Sequence, residues 1–181
     1  MANFKFLKAT LKDFRVGALT VSSRYTIRRV LKEIKSHHKF IIEYGAGDGA
    51  ATKEILRFLP RDGKLIVIEL NDDFVRELQK IKDERLKIIR GDAVELSKNL
   101  KLLGLPRVDM VISSIPFTLL KPTSRAAIIK NTGATLAANG IFLIYQYSPL
   151  VMPILKKYFK NVRLDLELRN FPPYFFMIAK N

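Results

Sequence analysis

Phe40-Ile41-Ile42-Glu43-Tyr44-Gly45-Ala46-Gly47-Asp48-Gly49 is the stretch that decides how this chain is read. An apolar strand runs into an acid and then into glycines at three alternate positions, and a helical pattern follows over residues 50–58. Glycine lets the backbone turn sharply and come close to a ligand, because no Cβ stands in the way. A strand, a Gly-rich loop and a helix in that order are how a doubly wound sheet builds a ligand site at the carboxyl edge of its strands. The dinucleotide spacing G-x-G-x-x-G is not met; the pattern here is Glu-x-Gly-x-Gly-x-Gly.

Two further strands with acidic ends follow. Lys64-Leu-Ile-Val-Ile-Glu69 is a buried-strand run whose terminal acid stands close to the roughly 20 residues beyond the loop at which a ribose-binding carboxylate is expected. Leu86-Lys-Ile-Ile-Arg-Gly91-Asp92-Ala93 is the next. Taken singly, Glu69 and Asp92 read equally well as helix caps or solvated strand ends. Three acid-ended strands in order, one βα unit apart, point to one site. A fourth run, Val108-Asp-Met-Val-Ile-Ser113, leads into Ser114-Ile115-Pro116-Phe117.

Together these segments resemble the ordered motifs of the class I S-adenosylmethionine (SAM) methyltransferases. The resemblance implies an α/β, Rossmann-like fold with a seven-stranded, mostly parallel sheet and an antiparallel terminal strand. It implies SAM as cofactor and S-adenosylhomocysteine as product, with Ser22, Tyr25, Glu43, Gly45, Ala46, Gly47, Glu69, Leu70, Asp92, Ala93 and Ser113 as cofactor-binding candidates. In that reading Glu69 takes the ribose hydroxyls and Asp92 the adenine amine; Tyr25 also reads as a core residue. Ser114-Ile115-Pro116-Phe117 is similar to the (Asn/Asp/Ser)-x-Pro-(Phe/Tyr) turn of enzymes that methylate nitrogen.

Such chemistry needs an amine lone pair aimed along the S–CH3 axis. The Ser114 side chain and carbonyl and the Ile115 carbonyl are acceptors for its N–H groups. Pro116 stiffens the turn through its fixed φ. Phe117 offers a ring face to a cation, worth about 0.5–2 kcal/mol. Tyr147 is a second aromatic candidate. Positioning then supplies most of the rate. The catalytic candidates are Ser114, Ile115, Pro116, Phe117 and Tyr147.

The 181 residues suit one compact domain, expected over 21–181, with residues 1–20 as an amphipathic helix and the segment leading into the site. Helices are expected near 23–36, 50–59, 72–82, 94–101 and 122–138, and strands near 39–44, 64–70, 86–90, 108–114 and 140–147. A terminal hairpin is expected over 161–170 and 174–180. With no cysteine, disulfides and thiol nucleophiles are excluded, and no metal is expected. His37 and His38 read as solvated loop residues. No apolar run reaches the roughly 18 residues of a spanning helix, and no cleavable signal is visible. The expected location is cytoplasmic, peripheral at the inner membrane face, as a monomer.

Thirty-two basic residues against seventeen acidic ones give +15, so a polyanionic partner is expected, either nucleic acid or an anionic membrane surface. The N-terminus favours the membrane. Phe4, Leu7, Leu11 and Phe14 form one helical stripe flanked by Lys5, Lys8, Lys12 and Arg15, the make-up of an interfacial helix. Four cations near an anionic leaflet contribute about 4 kcal/mol. A helix packed over the fold's own core, with solvated lysines, is the alternative.

Nearly the whole chain is similar to the small bacterial phospholipid N-methyltransferases, which act on phosphatidylethanolamine. The matching residues are Gly17-Ala18-Leu19-Thr20-Val21-Ser22-Ser23, the Ser113–Phe117 turn, Tyr145-Gln146-Tyr147-Ser148-Pro149 and Asn170-Phe171-Pro172-Pro173. Val21 stands where that family has proline, Ser114 where it has glycine, and the Gln/Tyr spacing is compressed. This resemblance implies a phospholipid amine as substrate and an anionic membrane surface as partner. The chain also resembles the rRNA adenine dimethylases, which would make RNA the partner. Those enzymes usually begin the catalytic turn with Asn rather than Ser114, and carry a C-terminal helical domain for which this chain, ending at Asn181, is expected to have no counterpart. A catalytically silent SAM-binding adaptor is the third reading.

Overall fold

The computed structural model describes residues 23–170 and 172–181. The expected N-terminal helix and entry segment over 1–20, with Phe4, Lys5, Leu7, Lys8, Leu11, Lys12, Phe14 and Arg15, lie outside the described residues, as do Ser22 and Phe171.

Seven strands form one sheet: β1 (Phe40–Tyr44), β2 (Lys64–Glu69), β3 (Leu86–Arg90), β4 (Val108–Ser113), β5 (Leu136–Gln146), β6 (Asn161–Glu167) and β7 (Tyr174–Lys180). Their order is β3-β2-β1-β4-β5-β7-β6. β1 to β5 are parallel, and β7 runs antiparallel to both β5 and β6. β6 therefore points the same way as β1–β5, and six strand ends share one edge. This is the expected class I arrangement. β1, β2 and β4 are buried on both faces, which is why they read as mostly apolar runs, broken by Glu43 in β1 and Asp109 in β4, rather than as alternating ones.

Alternation along β1 feeds two cores. Ile42 and Tyr44 join Phe142, Phe159 and Ile128 on one face; Ile41 joins Ile55, Leu65 and Val30 on the other. The helices α1 (Arg24–Glu33) and α2 (Ala50–Phe58) cover the second face, and α5 (Pro122–Thr135) and α6 (Met152–Tyr158) cover the first. α3 (Asp72–Leu78) starts at Asn71, whose side chain accepts from the Asp73 N–H at 2.8 Å, with two acids in the first turn to complement the helix dipole.

Element types match the expected ones, but several boundaries differ. The helix expected at 94–101 is a single turn, α4 (Ala93–Leu96), continued by a 3-10 segment (Ser97–Leu103) that kinks at Asn99. The tighter winding puts Leu100 and Leu103, three apart, together into the core. α5 stops at Thr135 rather than 138, because buried Leu136 is already paired with Val108 of β4. A bulge then brings Ile141 opposite Met110.

His38 is a correction to the sequence reading. It is buried, and its Nδ1 accepts the Lys35 N–H at 3.2 Å. Burial, with His37 beside it, pushes its pKa down to about 4, so the ring is a neutral acceptor closing the approach to β1. It stands at the amino edge, away from the carboxyl-edge loops.

Candidate active site

The loops after β1, β2 and β3 are knitted together around Glu69. Its Oε2 accepts from the Gly47 N–H at 3.0 Å, and its Oε1 accepts from Leu70 and Asn71 at 2.7 and 2.9 Å. Its backbone carbonyl takes the Gly91 N–H. Burial raises the Glu69 pKa, and the three backbone N–H groups pull it back. Gly45 has φ +73°, and a Cβ there would lie 2.8 Å from Ile115 Cγ2; Gly47 has φ +56°. Both positions therefore need glycine, for the left-handed backbone and, at Gly45, for space as well. Asp92 is exposed and caps α4, accepting from the Val94 N–H at 2.7 Å. A carboxylate has lone pairs enough for a cap and a ligand together. Ala93 behind it is buried, as is Ala46.

Glu43 is wholly enclosed. Its Oε2 accepts from Thr52 Oγ1 at 2.7 Å, while Oε1 has no partner among the described residues. Burial pushes its pKa up to about 7, against the pull of the Thr52 hydrogen bond. Ser113, also fully buried, has a hydroxyl with no partner among the described residues.

The turn after β4 is held from four sides. The Ser114 N–H donates to Tyr44 O at 3.1 Å, and its hydroxyl donates to Gly45 O. The Phe117 N–H donates to Gln146 Oε1 at 3.1 Å, and Gln146 Nε2 donates to Ser148 O at 2.6 Å. Arg125 of α5 donates to the carbonyls of Phe117 at 2.7 Å and Thr118 at 3.0 Å. The hydroxyl hydrogen of Ser114 is thus committed to Gly45, so toward a substrate this oxygen can only accept, which suits an N–H donor. Pro116 sits at φ −77° at the head of the short turn Phe117–Leu119.

Phe117 departs from its expected role. Its ring is fully buried in the core with Ile128, Ile129 and Phe142, so it anchors the turn rather than presenting an open face. Tyr147 is half-buried at the neighbouring strand end. Its hydroxyl accepts from Tyr174 at 3.0 Å, and the two rings meet edge-on at 4.6 Å. Tyr25, near the start of α1, has the Arg169 guanidinium 4.7 Å from its ring centre, and a hydrogen bond from Arg24 pulls its phenol pKa down. α1 is tied to the same edge by Thr26 Oγ1, which donates to Asn170 Oδ1 at 3.3 Å, while Asn170 Nδ2 holds Pro172 O at 2.9 Å.

The structure thus brings Gly45, Gly47, Glu69 and Leu70 into one hydrogen-bonded unit and sets the Ser114–Phe117 turn beside it, in contact through Gly45. Sequence reasoning assigned no role to Gln146, Arg125, Thr26 or Asn170. Gln146 and Asn170 lay within quoted motifs, and a glutamine ending an apolar strand was the available signal. Arg125 and Thr26 carry none.

These residues fit a cofactor with amino-acid, ribose and adenine parts: two glycines that leave room for close contact, an acceptor at the tip of β2, a capped acid after β3 and an orphaned buried carboxyl oxygen. Fold and site together define a class I SAM-dependent N-methyltransferase, with SAM as cofactor and S-adenosylhomocysteine as product. The chain belongs to the ribosomal RNA adenine dimethylase family, whose model matches residues 15–120.

Among its relatives, the chain is 27% identical over 162 residues to the ornithine lipid N-methyltransferase of Singulisphaera acidiphila, covering 87% of this chain and 84% of that enzyme. It is 30% identical over 152 residues to the ribosomal RNA small subunit methyltransferase A of Mycoplasma mycoides subsp. mycoides. That match covers 83% of this chain and 50% of the relative, so the chain spans about half that enzyme's length. The fold is similar to the N-methyltransferase NodS from Bradyrhizobium japonicum, solved with S-adenosylhomocysteine (TM-score 0.73, 13% identity, 99% and 98% of the two chains). It is also similar to a precorrin-6y C5,15-methyltransferase from Geobacter metallireducens (TM-score 0.68, 14% identity, 90% of each chain).

Proposed function

We propose that this protein methylates the amine of an aminolipid head group at a membrane surface, with phosphatidylethanolamine and its partly methylated forms as the first substrates to test. The observation that carries this reading is the likeness to a lipid N-methyltransferase over most of both chains. The N-terminal stripe of apolar residues and lysines, and the net charge of +15, favour an anionic surface.

When bound, SAM supplies an electrophilic methyl group on a sulfonium. The chain's own residues do the placing. The Gly45–Gly47 loop and Glu69 hold the cofactor side, and Ser114, as an obligate acceptor, takes an amine N–H and turns the lone pair toward the methyl group. Gln146 and Arg125 keep the Ser114–Phe117 backbone from drifting, in a reaction where a displacement of about 1 Å costs on the order of a hundredfold in rate. Tyr147 offers an aromatic neighbour to an amine that becomes cationic. No described histidine stands at this edge, so the amine proton leaves to water or through an oxygen group.

RNA is the second reading, favoured by the family match and by the RNA methyltransferase relatives. Methyl-labelled SAM, incubated with the pure protein and vesicles of phosphatidylethanolamine plus an anionic lipid, with ribosomal RNA in a parallel tube, separates the two. Label in the lipid phase is the expected result. Label in RNA alone would replace this reading with adenine methylation.

A further inference from the structure

The carboxyl edge of the sheet is divided by charge. Glu43, Asp48, Glu69, Asp72, Asp73 and Asp92 all belong to β1–β3 and the segments that follow them. After β4 and β5 no described residue at this edge is acidic, and toward the end of β6 the acids are Asp165, paired with Arg29 at 2.9 Å and Arg163 at 3.1 Å, and Glu167, buried and held by Arg169 at 2.7 Å. The cofactor half is acidic, and the substrate half is not.

Leucines stand there instead. Leu119, in the turn after β4, is 37% exposed; Leu150, after β5, 44%; Leu166, near the end of β6, 44%; and Leu168, in the β6–β7 turn, 72%. Because β4, β5 and β6 point the same way, their ends and following turns leave the sheet at one edge. Single exposed leucines are ordinary. Here they follow one edge as a rim, from Leu119 beside the turn that carries Ser114, past Leu150 after β5, to Leu166 and Leu168 at the outermost strand, β6, and a run of exposed leucines from three segments is of the kind that marks an interaction surface. Cations flank it. Lys121 follows Leu119 by two residues, and Arg24 opens α1, which Thr26 and Asn170 join to the same edge. Neither cation has a carboxylate partner among the described residues.

We infer that this leucine rim seats the substrate mouth on an anionic phospholipid bilayer, with the leucines entering the interfacial layer and Lys121 and Arg24 meeting lipid phosphates. The inference rests on the lipid reading above and names the surface that would present the head group. A phosphate backbone rewards the cations but leaves the leucines in water. A bilayer rewards both.

The test uses the full chain, a Leu166→Glu/Leu168→Glu double variant and, separately, Leu150→Glu. Partition onto vesicles of phosphatidylethanolamine and phosphatidylglycerol is read by sedimentation. SAM affinity is read by calorimetry, and methylation is assayed on both vesicle-borne and detergent-dispersed lipid. The expected result is a loss of vesicle partition of about tenfold or more in each variant, with SAM affinity, melting temperature and activity on dispersed lipid retained. Should the double variant fail to fold, Leu150→Glu, in a loop, decides the matter alone. Unchanged partition in a folded variant overturns the rim. So does a drop in melting temperature or in self-association without a change in partition, which would mean that residues 1–22 or a second copy cover these leucines. If the native protein binds vesicles through the rim yet labels only RNA, the docking surface stands and the lipid substrate falls. If it labels dispersed lipid while the rim variants still bind vesicles, the reverse holds.

Discussion

Glu43 has a single described hydrogen bond, from Thr52, and no solvent to share its charge. Its pKa rises from 4.5 to about 7 on folding, so between those values the folded state keeps a proton that the unfolded state has lost. The sign follows: its contribution to stability is full below the unfolded pKa and is lost as pH rises through about 7. Cofactor-free protein is therefore expected to lose stability between about pH 5 and pH 8, by something on the order of 3 kcal/mol. Glu43→Gln keeps an acceptor for Thr52 and should flatten that dependence; urea unfolding at several pH values measures it, and an equally steep variant would remove Glu43 as the cause. Gly47 makes a different demand at the same scale. With φ at +56°, a β-branched residue is strained there, and the loop backbone must shift to take it. Gly47→Val should lower SAM affinity by at least about tenfold in calorimetry; an unchanged affinity would mean the loop does not touch the cofactor.

At the scale of elements, the turn after β4 depends on the strand and helix beside it. Gln146, at the end of β5, and Arg125, on α5, bond its backbone from opposite sides. Gln146→Ala removes two hydrogen bonds, to the Phe117 N–H and the Ser148 carbonyl, each worth about 1 kcal/mol of stability, and frees the turn that carries Ser114. The expected outcome is a kcat reduced about tenfold or more with SAM affinity retained; a fall in SAM affinity of the same size would instead assign Gln146 to the cofactor side. Strand and helix types were legible in the sequence because β1, β2 and β4 are mostly apolar runs and Asn71 announces a cap. The end of α5 was not, since residues 136–138 suit a helix and only pairing with Val108 draws Leu136 into a strand. Phe117 illustrates the same limit in the site. Its place in the turn was readable, but the direction of its ring was set by the core around Ile128 and Phe142.

Across the whole molecule, the excess of basic residues is sharpened by pairing. Arg29, Arg57, Arg76, Arg85, Arg90, Arg107, Arg163, Arg169, Lys39, Lys80 and Lys98 each hold a described acid, and the remaining lysines and arginines carry the excess that can face a partner. Charge reversal at Lys5, Lys8 and Lys12 is expected to release the protein from anionic vesicles by at least about tenfold while leaving SAM affinity intact, and more weakly at high salt. Vesicle sedimentation that ignores the reversal would move the anchor elsewhere on the chain. The sequence by itself determined the class of fold, the cofactor and the order of the site, because a Gly-rich loop and acids at strand ends are local features that each strand carries with it. Only the tertiary structure decided which side chains clamp the turn after β4, that Phe117 turns inward and His38 is buried, and that leucines in three segments stay exposed. Those outcomes depend on partners far apart in the chain, 29 positions for Phe117 and Gln146 and 144 for Thr26 and Asn170, and no local pattern records them.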